Sequence, residues 1–137
     1  MRLSTRTRYG IRAVLELAQN YGQGPIQMKT IAQRQEISVK YLEQLMTILK
    51  TAGFVRSVRG ARGGYLLAKH PNQIKLSETF AALEGPVTTV DCVQDATSCT
   101  RVKDCLTRQL WIEIQQAILD VLESKTLQDF VKKAAGS

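Results

Sequence analysis

Residues 54–68 decide the fold, and they read Phe-Val-Arg-Ser-Val-Arg-Gly-Ala-Arg-Gly-Gly-Tyr-Leu-Leu-Ala. The segments Phe54–Val58 and Tyr65–Ala68 have the β-branched, aromatic and aliphatic composition of short strands. The tip between them holds three glycines and two arginines, Arg59 and Arg62. Because glycine allows positive φ and a close approach of the backbone to another surface, the stretch predicts a β-hairpin with a basic tip.

Two short helices are predicted immediately before this hairpin. The first runs from about Met28 to Arg34, and Ser38 is placed to cap the second. The second helix carries one apolar stripe and ends at Gly53; the stripe comprises Leu42, Leu45, Met46 and Leu49. Two helices joined by a short turn form a helix-turn-helix, and with the hairpin behind them they predict a winged helix-turn-helix.

A helix is also predicted on each side of this unit. Residues Ser4–Tyr21 carry apolar side chains at three- and four-residue intervals, with Arg6, Arg8 and Arg12 on the polar side. A shorter helix is expected at Ser77–Glu84, before a glycine–proline pair.

A long helix is predicted from about Val102 onward. Its apolar seam comprises Leu106, Leu110, Ile114, Ala117, Ile118, Val121 and Leu122. Trp111 and Ile112 lie off that seam, so the helix needs a second covering surface, and another copy of the chain is the simplest choice. The pattern Thr126-x-x-Asp129 resembles a capping box for a final short helix.

The positive charge is concentrated in the front of the chain. Residues 1–75 hold 13 Lys and Arg against three acids, a balance of +10, whereas residues 76–137 balance at −3. Such a basic segment favours the phosphate backbone of DNA as its partner, although a basic surface can also serve solubility alone. On the DNA interpretation, Arg6 and Arg8 contact phosphates, and Arg59 and Arg62 suit a narrow minor groove, although a plain solvated hairpin is the alternative.

The remaining composition excludes several protein classes. No apolar run approaches the roughly 18 residues of a membrane span, and the basic N-terminus is not followed by the apolar stretch of a secretory signal. We therefore expect a cytoplasmic protein without a membrane partner. His70 is the only histidine and has no evident nucleophile or acidic partner nearby, so an enzyme is not expected.

Three cysteines fall within 14 residues, with the spacing C-x6-C-x5-C: Cys92, Cys99 and Cys105. An odd number in a reducing compartment argues against a disulfide scaffold. Zinc sites more often use C-x2-C pairs and four ligands, whereas widely spaced thiolates suit an iron–sulfur cluster, which normally also needs four. Packing and a thiol switch remain the alternatives.

The fourth ligand of such a cluster has to come from elsewhere, because the chain has no fourth cysteine. His70, as a lone histidine, is more readily explained as a surface residue. Three aspartates are near in sequence: Asp91, Asp95 and Asp104. Glu43 on the second helix of the helix-turn-helix could reach a cluster only if the cysteine segment folds over it, from the same chain or from a partner chain. A small molecule is the last candidate.

The chain closely resembles the Rrf2 family of bacterial winged-helix regulators, and IscR-like members above all. The stretches that carry the resemblance are MRLSTRTRYGIRAVLELA, SVKYLEQL, GFVRSVRGARGGYLLA and the cysteine segment leading into LTRQLW. The resemblance covers essentially the whole chain. It implies a homodimeric transcription factor, usually a repressor, that senses iron–sulfur status and binds double-stranded operator DNA.

The resemblance also implies roles for individual residues. Cys92, Cys99 and Cys105 would bind a 2Fe–2S cluster, and the wing arginine Arg59 would enter the minor groove. Ser38, Lys40 and Gln44 would lie on the recognition helix in the major groove. Glutamine is suited to a bidentate contact with adenine, and lysine to guanine or phosphate.

The chain departs from the family at the fourth ligand. Many IscR-like chains have a histidine three positions after the last cysteine, where this chain has Arg108. Nitric-oxide-sensing relatives use an acid at a position that here holds Arg8. Glu43, which matches a family glutamate in the YLEQL motif, is therefore the best remaining protein ligand.

The expected fold class is mainly α with a small β wing, a winged helix-turn-helix plus a long dimerisation helix. The expected regions are a DNA-binding domain over 1–85, a cluster-binding loop over 86–101, and a dimerisation helix with a C-terminal helix over 102–137. Cluster-assembly proteins are the expected cluster donors. Two other functions remain open: a cluster-free repressor whose thiols sense oxidants or sulfur metabolites, and a small electron-transfer protein.

Overall fold

The computed structural model describes residues 2–86 and 106–131. Five α-helices, two strands and two 3-10 helices follow one another in this part of the chain. Their bounds are α1 Thr5–Gln19, α2 Met28–Gln35, α3 Val39–Thr51, β1 Val55–Val58, β2 Gly64–Leu67, α4 Leu76–Glu84 and α5 Leu106–Ser124, with the 3-10 helices at Pro71–Gln73 and Leu127–Phe130. The predicted order of the helices and strands is confirmed, and the ends of α1 to α4 and of the two strands differ from the prediction by one or two residues. The predicted start of the long helix at about Val102 lies outside the described residues.

The helix-turn-helix consists of α2 and α3. Ser38 caps α3 as predicted, since its hydroxyl accepts a hydrogen bond from the amide of Tyr41 at 3.0 Å. The turn itself needs Glu36 in the left-handed conformation, with φ of 54°. All four residues of the α3 stripe are buried without exposed surface: Leu42, Leu45, Met46 and Leu49. The opposite face of α3 is consequently left for another molecule.

The wing is an antiparallel pair in which Val55 faces Leu67 and Val58 faces Gly64. A third segment joins it, because Ile26 and Tyr65 exchange both backbone hydrogen bonds, at 2.9 and 2.8 Å. The sequence pattern did not predict this bridge. It attaches the start of β2, close to the tip of the hairpin, to the segment that precedes α2.

Helices α1 and α4 pack closely, and each stabilises an end of the other. Gly10 permits the contact, since a Cβ atom there would lie 2.6 Å from a methyl carbon of Leu83. Arg6 Nε donates a 2.7 Å hydrogen bond to the Leu83 carbonyl, near the end of α4. In return the Glu84 carboxylate accepts from the hydroxyls of Ser4 and Thr7, in the first turn of α1. These contacts fix the start of α1 to the last turn of α4.

The hydrogen bond from Thr7, followed by those from Ser4, lowers the pKa of Glu84 below its usual value, and the nearby Arg6 charge adds to this. We expect Glu84→Gln to lower the free energy of unfolding by about 1 kcal/mol at pH 7, a partly solvated case of a charge-assisted hydrogen bond. Because the folded-state pKa is the lower one, this contribution is fully present above the unfolded value of 4.5 and is lost as the pH falls through the folded pKa.

Urea unfolding of both proteins at pH 7 and at pH 3 measures this effect. The difference between wild type and Glu84→Gln should shrink at the lower pH. Glu113→Gln is the matched control, because no described residue donates a hydrogen bond to that exposed carboxylate. A difference that stays constant with pH would exclude the assigned role of the charge.

The chain after α5 returns to the segment that leads into α4. Leu76 N donates to the Lys125 carbonyl at 2.9 Å and Leu127 N donates to the Ile74 carbonyl at 3.0 Å, while Leu127 is fully buried. The predicted capping box is present, with Thr126 and Asp129 bonded reciprocally. The short helix that it begins is a 3-10 helix.

The apolar seam of α5 divides into two faces. Leu122 is buried and Leu119 is half-buried, and both line a small cleft with Phe80 of α4. The other face remains exposed and comprises Leu106, Leu110, Ile114, Ala117 and Val121. The predicted single seam therefore divides into one surface that packs against the rest of the chain and one surface that is exposed. No helix within the described ranges combines the length and hydropathy needed to cross a bilayer.

Candidate nucleic-acid interface

The free face of α3 presents the polar residues predicted to read DNA. Ser38, Lys40, Glu43 and Gln44 are all exposed, and the buried stripe fixes which way they face. The hydroxyl of Ser38 already accepts a hydrogen bond within the chain, because it caps the helix. Lys40 and Gln44 lie four residues apart, one helical turn, so their side chains project from the same strip of the surface.

The wing tip carries the two predicted arginines, Arg59 and Arg62, on exposed positions. The tip is a tight turn in which the Gly63 amide donates to the Gly60 carbonyl at 3.0 Å, and Gly60 has a φ of 108°. Positive φ at that point favours glycine over every other residue. The turn therefore holds both guanidinium groups at the outermost part of the hairpin.

Two side-chain contacts that the sequence did not predict hold the wing against the helix-turn-helix. Gln27, the residue before α2, donates from Nε2 to the Ala61 carbonyl at 3.2 Å. Lys50, in the last turn of α3, donates from Nζ to the Ser57 hydroxyl at 3.1 Å. Helix α3 and the wing are consequently held together as one unit.

The arginines of α1 differ in their surroundings. Arg8 is exposed, and a terminal nitrogen donates only to the neighbouring Thr5 hydroxyl at 3.3 Å. Arg6, predicted as a phosphate contact, has its Nε engaged by the Leu83 carbonyl. The structure thus gives Arg6 an internal capping role that the sequence did not indicate, and it leaves Arg8 the freer cation.

The three predicted cluster ligands, Cys92, Cys99 and Cys105, lie outside the described residues. Within residues 2–86 and 106–131 no group of three or more His, Cys, Asp or Glu residues could hold a metal ion. Glu43 is exposed, and its carboxylate has no hydrogen bond or ion pair in the described part of the chain. His70 is exposed as expected, its ring packing edge-on against Tyr21 and its Nδ1 accepting from the Asn72 amide.

The sequence matches a family model over residues 3–133, that of Rrf2, described as an iron-dependent transcriptional regulator. The chain belongs to the Rrf2 family. The resemblance drawn from the wing and helix motifs is thereby confirmed, including its IscR-like character.

Two Rrf2 relatives are highly similar over nearly the whole chain. The HTH-type transcriptional regulator CymR of Bacillus subtilis is 40% identical over 136 residues, which cover 99% of this chain and 94% of that protein. The HTH-type transcriptional regulator IscR of Pectobacterium atrosepticum is 40% identical over 131 residues, 96% of this chain and 79% of that protein.

The fold agrees with these sequences. The solved structure of CymR, the global cysteine regulator of B. subtilis, superposes with a TM-score of 0.81 at 42% identity, and the superposition covers 95% of each chain. The predicted winged helix-turn-helix fold of an Rrf2 regulator is therefore confirmed.

Proposed function

We propose that this Rrf2 protein is a transcriptional regulator, most simply a repressor, that binds operator DNA as a homodimer and senses iron–sulfur status through a 2Fe–2S cluster. The observation that carries the proposal is the combination of three cysteines within 14 residues and a basic winged helix-turn-helix in one family member. Its relatives are transcriptional regulators, which supports DNA binding rather than an enzymatic reaction.

DNA recognition is assigned to α3 and the wing. The strip formed by Lys40 and Gln44 fits the major groove, and Arg59 with Arg62 fits the adjacent minor groove. Ser38 and Arg8 would add contacts to the sugar–phosphate backbone, and Arg6 would add only its charge. Support comes from the exposure of these side chains and from the wing attachments through Gln27 and Lys50.

We expect Arg59→Ala to weaken binding to operator DNA by about 1–3 kcal/mol, because a guanidinium in a narrow minor groove loses both a charge contact and shape readout. Fluorescence anisotropy with a duplex enriched from a random library by the wild-type protein measures the effect. Arg56→Ala, an exposed strand arginine away from the tip, is the matched control. Equal affinities of wild type and Arg59→Ala across a salt titration would contradict the wing assignment.

The cluster would be held by Cys92, Cys99 and Cys105, whose thiolates are the usual ligands of iron–sulfur centres. The donor set fits if an oxygen or nitrogen ligand completes it, and the unpartnered carboxylate of Glu43 is the candidate. A bound cluster would supply a centre that is sensitive to oxidants and to iron supply. Because Glu43 stands beside Gln44, its engagement would alter the charge that α3 presents to DNA.

We expect Glu43→Ala to change the visible absorption of anaerobically reconstituted protein and to shorten the lifetime of the cluster in air. Removal of one ligand leaves a coordination site open to solvent, which is the physical reason for both effects. Glu36→Ala is not a suitable control, because Glu36 has a positive φ. Thr47→Ala is the control instead, since Thr47, like Glu43, is an exposed residue of α3. Identical spectra and lifetimes of wild type and Glu43→Ala would rule out this ligand.

A second candidate function is supported by the similarity to CymR, the global cysteine regulator of B. subtilis. On this alternative the three thiols respond directly to oxidants or sulfur metabolites without a cluster. Both functions use the same proposed DNA-binding surface, and they differ in whether the cysteines bind an iron–sulfur cluster or act as free thiols.

The exposed face of α5 is assigned to the homodimer. Its apolar residues recur at intervals of four and three along about four turns, the spacing by which two helices pack together. A two-fold dimer would place its recognition helices on two half-sites one helical turn apart. We propose the cytoplasm as the location, and cluster-assembly proteins as the cluster donors.

Operator affinity measured before and after removal of iron tests this function. Protein purified without oxygen is titrated onto the enriched duplex, then treated with an iron chelator and titrated again. We expect the two affinities to differ by at least tenfold, and Cys92→Ser to bind like the chelated protein. Equal affinities of loaded and chelated protein would contradict sensing through a cluster.

A further inference from the structure

Arg12 of α1 makes a set of contacts that no DNA role explains. Its Nε donates to Gln35 Oε1 at 3.0 Å, and Nη2 donates to the Gln35 carbonyl at 3.1 Å. Both contacts fall on the last residue of α2, and they use adjacent edges of one planar guanidinium group. Arginine is suited to such a forked contact, whereas lysine has only a point charge to offer.

The Gln35 carbonyl belongs to the last turn of α2, where carbonyl groups have no partner within the helix. The following residue, Glu36, takes the left-handed conformation, the only non-glycine positive φ in the described part of the chain. Arg12 thus caps α2 from a neighbouring helix, at the point where the chain turns toward α3. The cap supports a backbone conformation that glutamate does not favour by itself.

The same guanidinium is linked to the start of α3 through the ring of Tyr9, a neighbouring residue of α1. Arg12 lies over the ring of Tyr9, with 5.0 Å from its central carbon to the ring centroid. The Tyr9 ring in turn meets Tyr41 edge-on, with centroids 6.2 Å apart. Tyr41 is in the first turn of α3, so the contacts of Arg12 reach both helices that flank the turn.

A second layer of contacts holds Gln35 in place. Gln35 Nε2 donates to Glu16 Oε1 at 3.0 Å, and the other oxygen of Glu16 pairs with Arg34 at 3.3 Å. The amide of Gln35 is therefore oriented by Glu16, with its oxygen toward Arg12. This orientation makes the forked contact specific to an arginine at position 12.

We propose that Arg12 is a positioning residue, one that caps the end of α2 and braces the helix-turn-helix so that α3 is presented to DNA at a fixed angle. It does not act as a phosphate contact, although it lies on the polar side of α1 with Arg8. The inference rests on the proposed function of α3 in reading DNA.

One variant that keeps the positive charge of Arg12 and one that removes it separate positioning from phosphate contact. We expect Arg12→Lys and Arg12→Gln each to lose about tenfold in affinity for the enriched duplex, with the affinity for a scrambled duplex unchanged. The slope of log affinity against log salt should stay at the wild-type value even in Arg12→Gln. Arg8→Gln is the comparison, and there the slope should fall by about one, as loss of a phosphate contact requires.

Hydrogen exchange without DNA tests the brace separately from the function of α3. The amides of Glu36 and Ile37, which donate to Gln33 and Ala32, should exchange at least fivefold faster in both Arg12 variants and at the wild-type rate in Arg8→Gln. If exchange rises as expected while the wild-type protein selects no duplex, the proposed function fails and the brace stands.

Three results would overturn the positioning role. One is wild-type affinity and exchange in Arg12→Lys. Another is a salt slope reduced by about one in Arg12→Gln with unchanged exchange, which would make Arg12 a phosphate contact. The third is faster exchange with full affinity and discrimination, which would make the contacts stabilising only. Circular dichroism at the assay temperature verifies that each variant is folded. If a variant at position 12 unfolds, Gln35→Met replaces it, because it removes the side-chain acceptor of Arg12. Gln35→Met should show the same loss of affinity and the same faster exchange as expected for Arg12→Lys.

Discussion

Replacing Gly64 by alanine should lower the free energy of unfolding by about 3 kcal/mol and abolish selective DNA binding. Gly64 is the first residue of β2 and has a φ of 151°. A Cβ atom there would lie 2.5 Å from the carbonyl carbon of Ile26 and 2.8 Å from the amide nitrogen of Gln27. Because these neighbours are backbone atoms, the wing would have to move away from the segment that precedes α2.

That movement would break the contacts that attach the wing. The Ile26–Tyr65 bridge and the Gln27–Ala61 hydrogen bond both depend on the close approach at Gly64. Arg59 and Arg62 would then be presented at a changed distance from α3. The loss of DNA selectivity is therefore expected to exceed the loss caused by removing Arg59 alone.

Gly60→Ala is the matched control for this experiment. Gly60 also has a positive φ, 108°, but a Cβ atom there would meet no atom within 4 Å. Only the backbone strain applies, about 1–2 kcal/mol. Urea unfolding and duplex titration of both variants measure the difference, and equal losses would show that the steric contact with Ile26 has no role.

Ile114→Glu should convert the proposed homodimer to a monomer, with a dissociation constant at least 100-fold higher. Ile114 is 40% exposed and Val121 is 57% exposed, so a charge at position 114 costs little in the isolated chain. In a two-fold interface the same glutamate would be buried twice without a partner, a penalty of about 3 kcal/mol or more. Affinity for a duplex with two half-sites should fall with it.

Gln109→Glu adds the same charge to the same helix and is the matched control. Gln109 is exposed and lies about 100° around the helix from the centre of the apolar face, by the helical repeat. Analytical ultracentrifugation over a range of protein concentrations measures the dissociation constants. A dimer of unchanged affinity in Ile114→Glu would assign the exposed apolar face of α5 to some other partner.

The elements that the sequence predicted are those with a local signal. The α3 stripe from Leu42 to Leu49 repeats at the helical period, and the caps at Ser38 and Thr126 depend on residues three positions away. The wing followed from two apolar segments around a glycine-rich tip. In each case the interacting residues are close in sequence, so their spacing carries the information.

The contacts that the sequence did not predict join residues that are far apart in the chain. Arg6 to Leu83, Gln27 to Ala61 and Arg12 to Gln35 each pair a polar side chain with a backbone carbonyl. Every residue has such a carbonyl, so the sequence does not indicate which residue accepts the hydrogen bond. This explains why Arg6 was expected at phosphates: its charge was visible in the sequence, and its partner was not.

The division of the α5 seam has a similar origin. Leu122 and Val121 are adjacent and equally apolar, yet one is 8% exposed and the other 57%. Only the return of Lys125–Leu127 to the segment before α4 decides which face of the helix is covered. The sequence predicted that two surfaces would be needed, and the structure shows which residues belong to each.

The content of iron and acid-labile sulfide per chain tests most directly whether this protein binds an iron–sulfur cluster. Both are determined on protein purified without oxygen. If Cys92, Cys99 and Cys105 hold the proposed cluster, we expect two irons and two sulfides per chain with a brown visible spectrum, and loss of all three signals in Cys99→Ser. Colourless protein without iron, even after reconstitution with iron and sulfide, would contradict the cluster and favour a regulator whose thiols act by themselves.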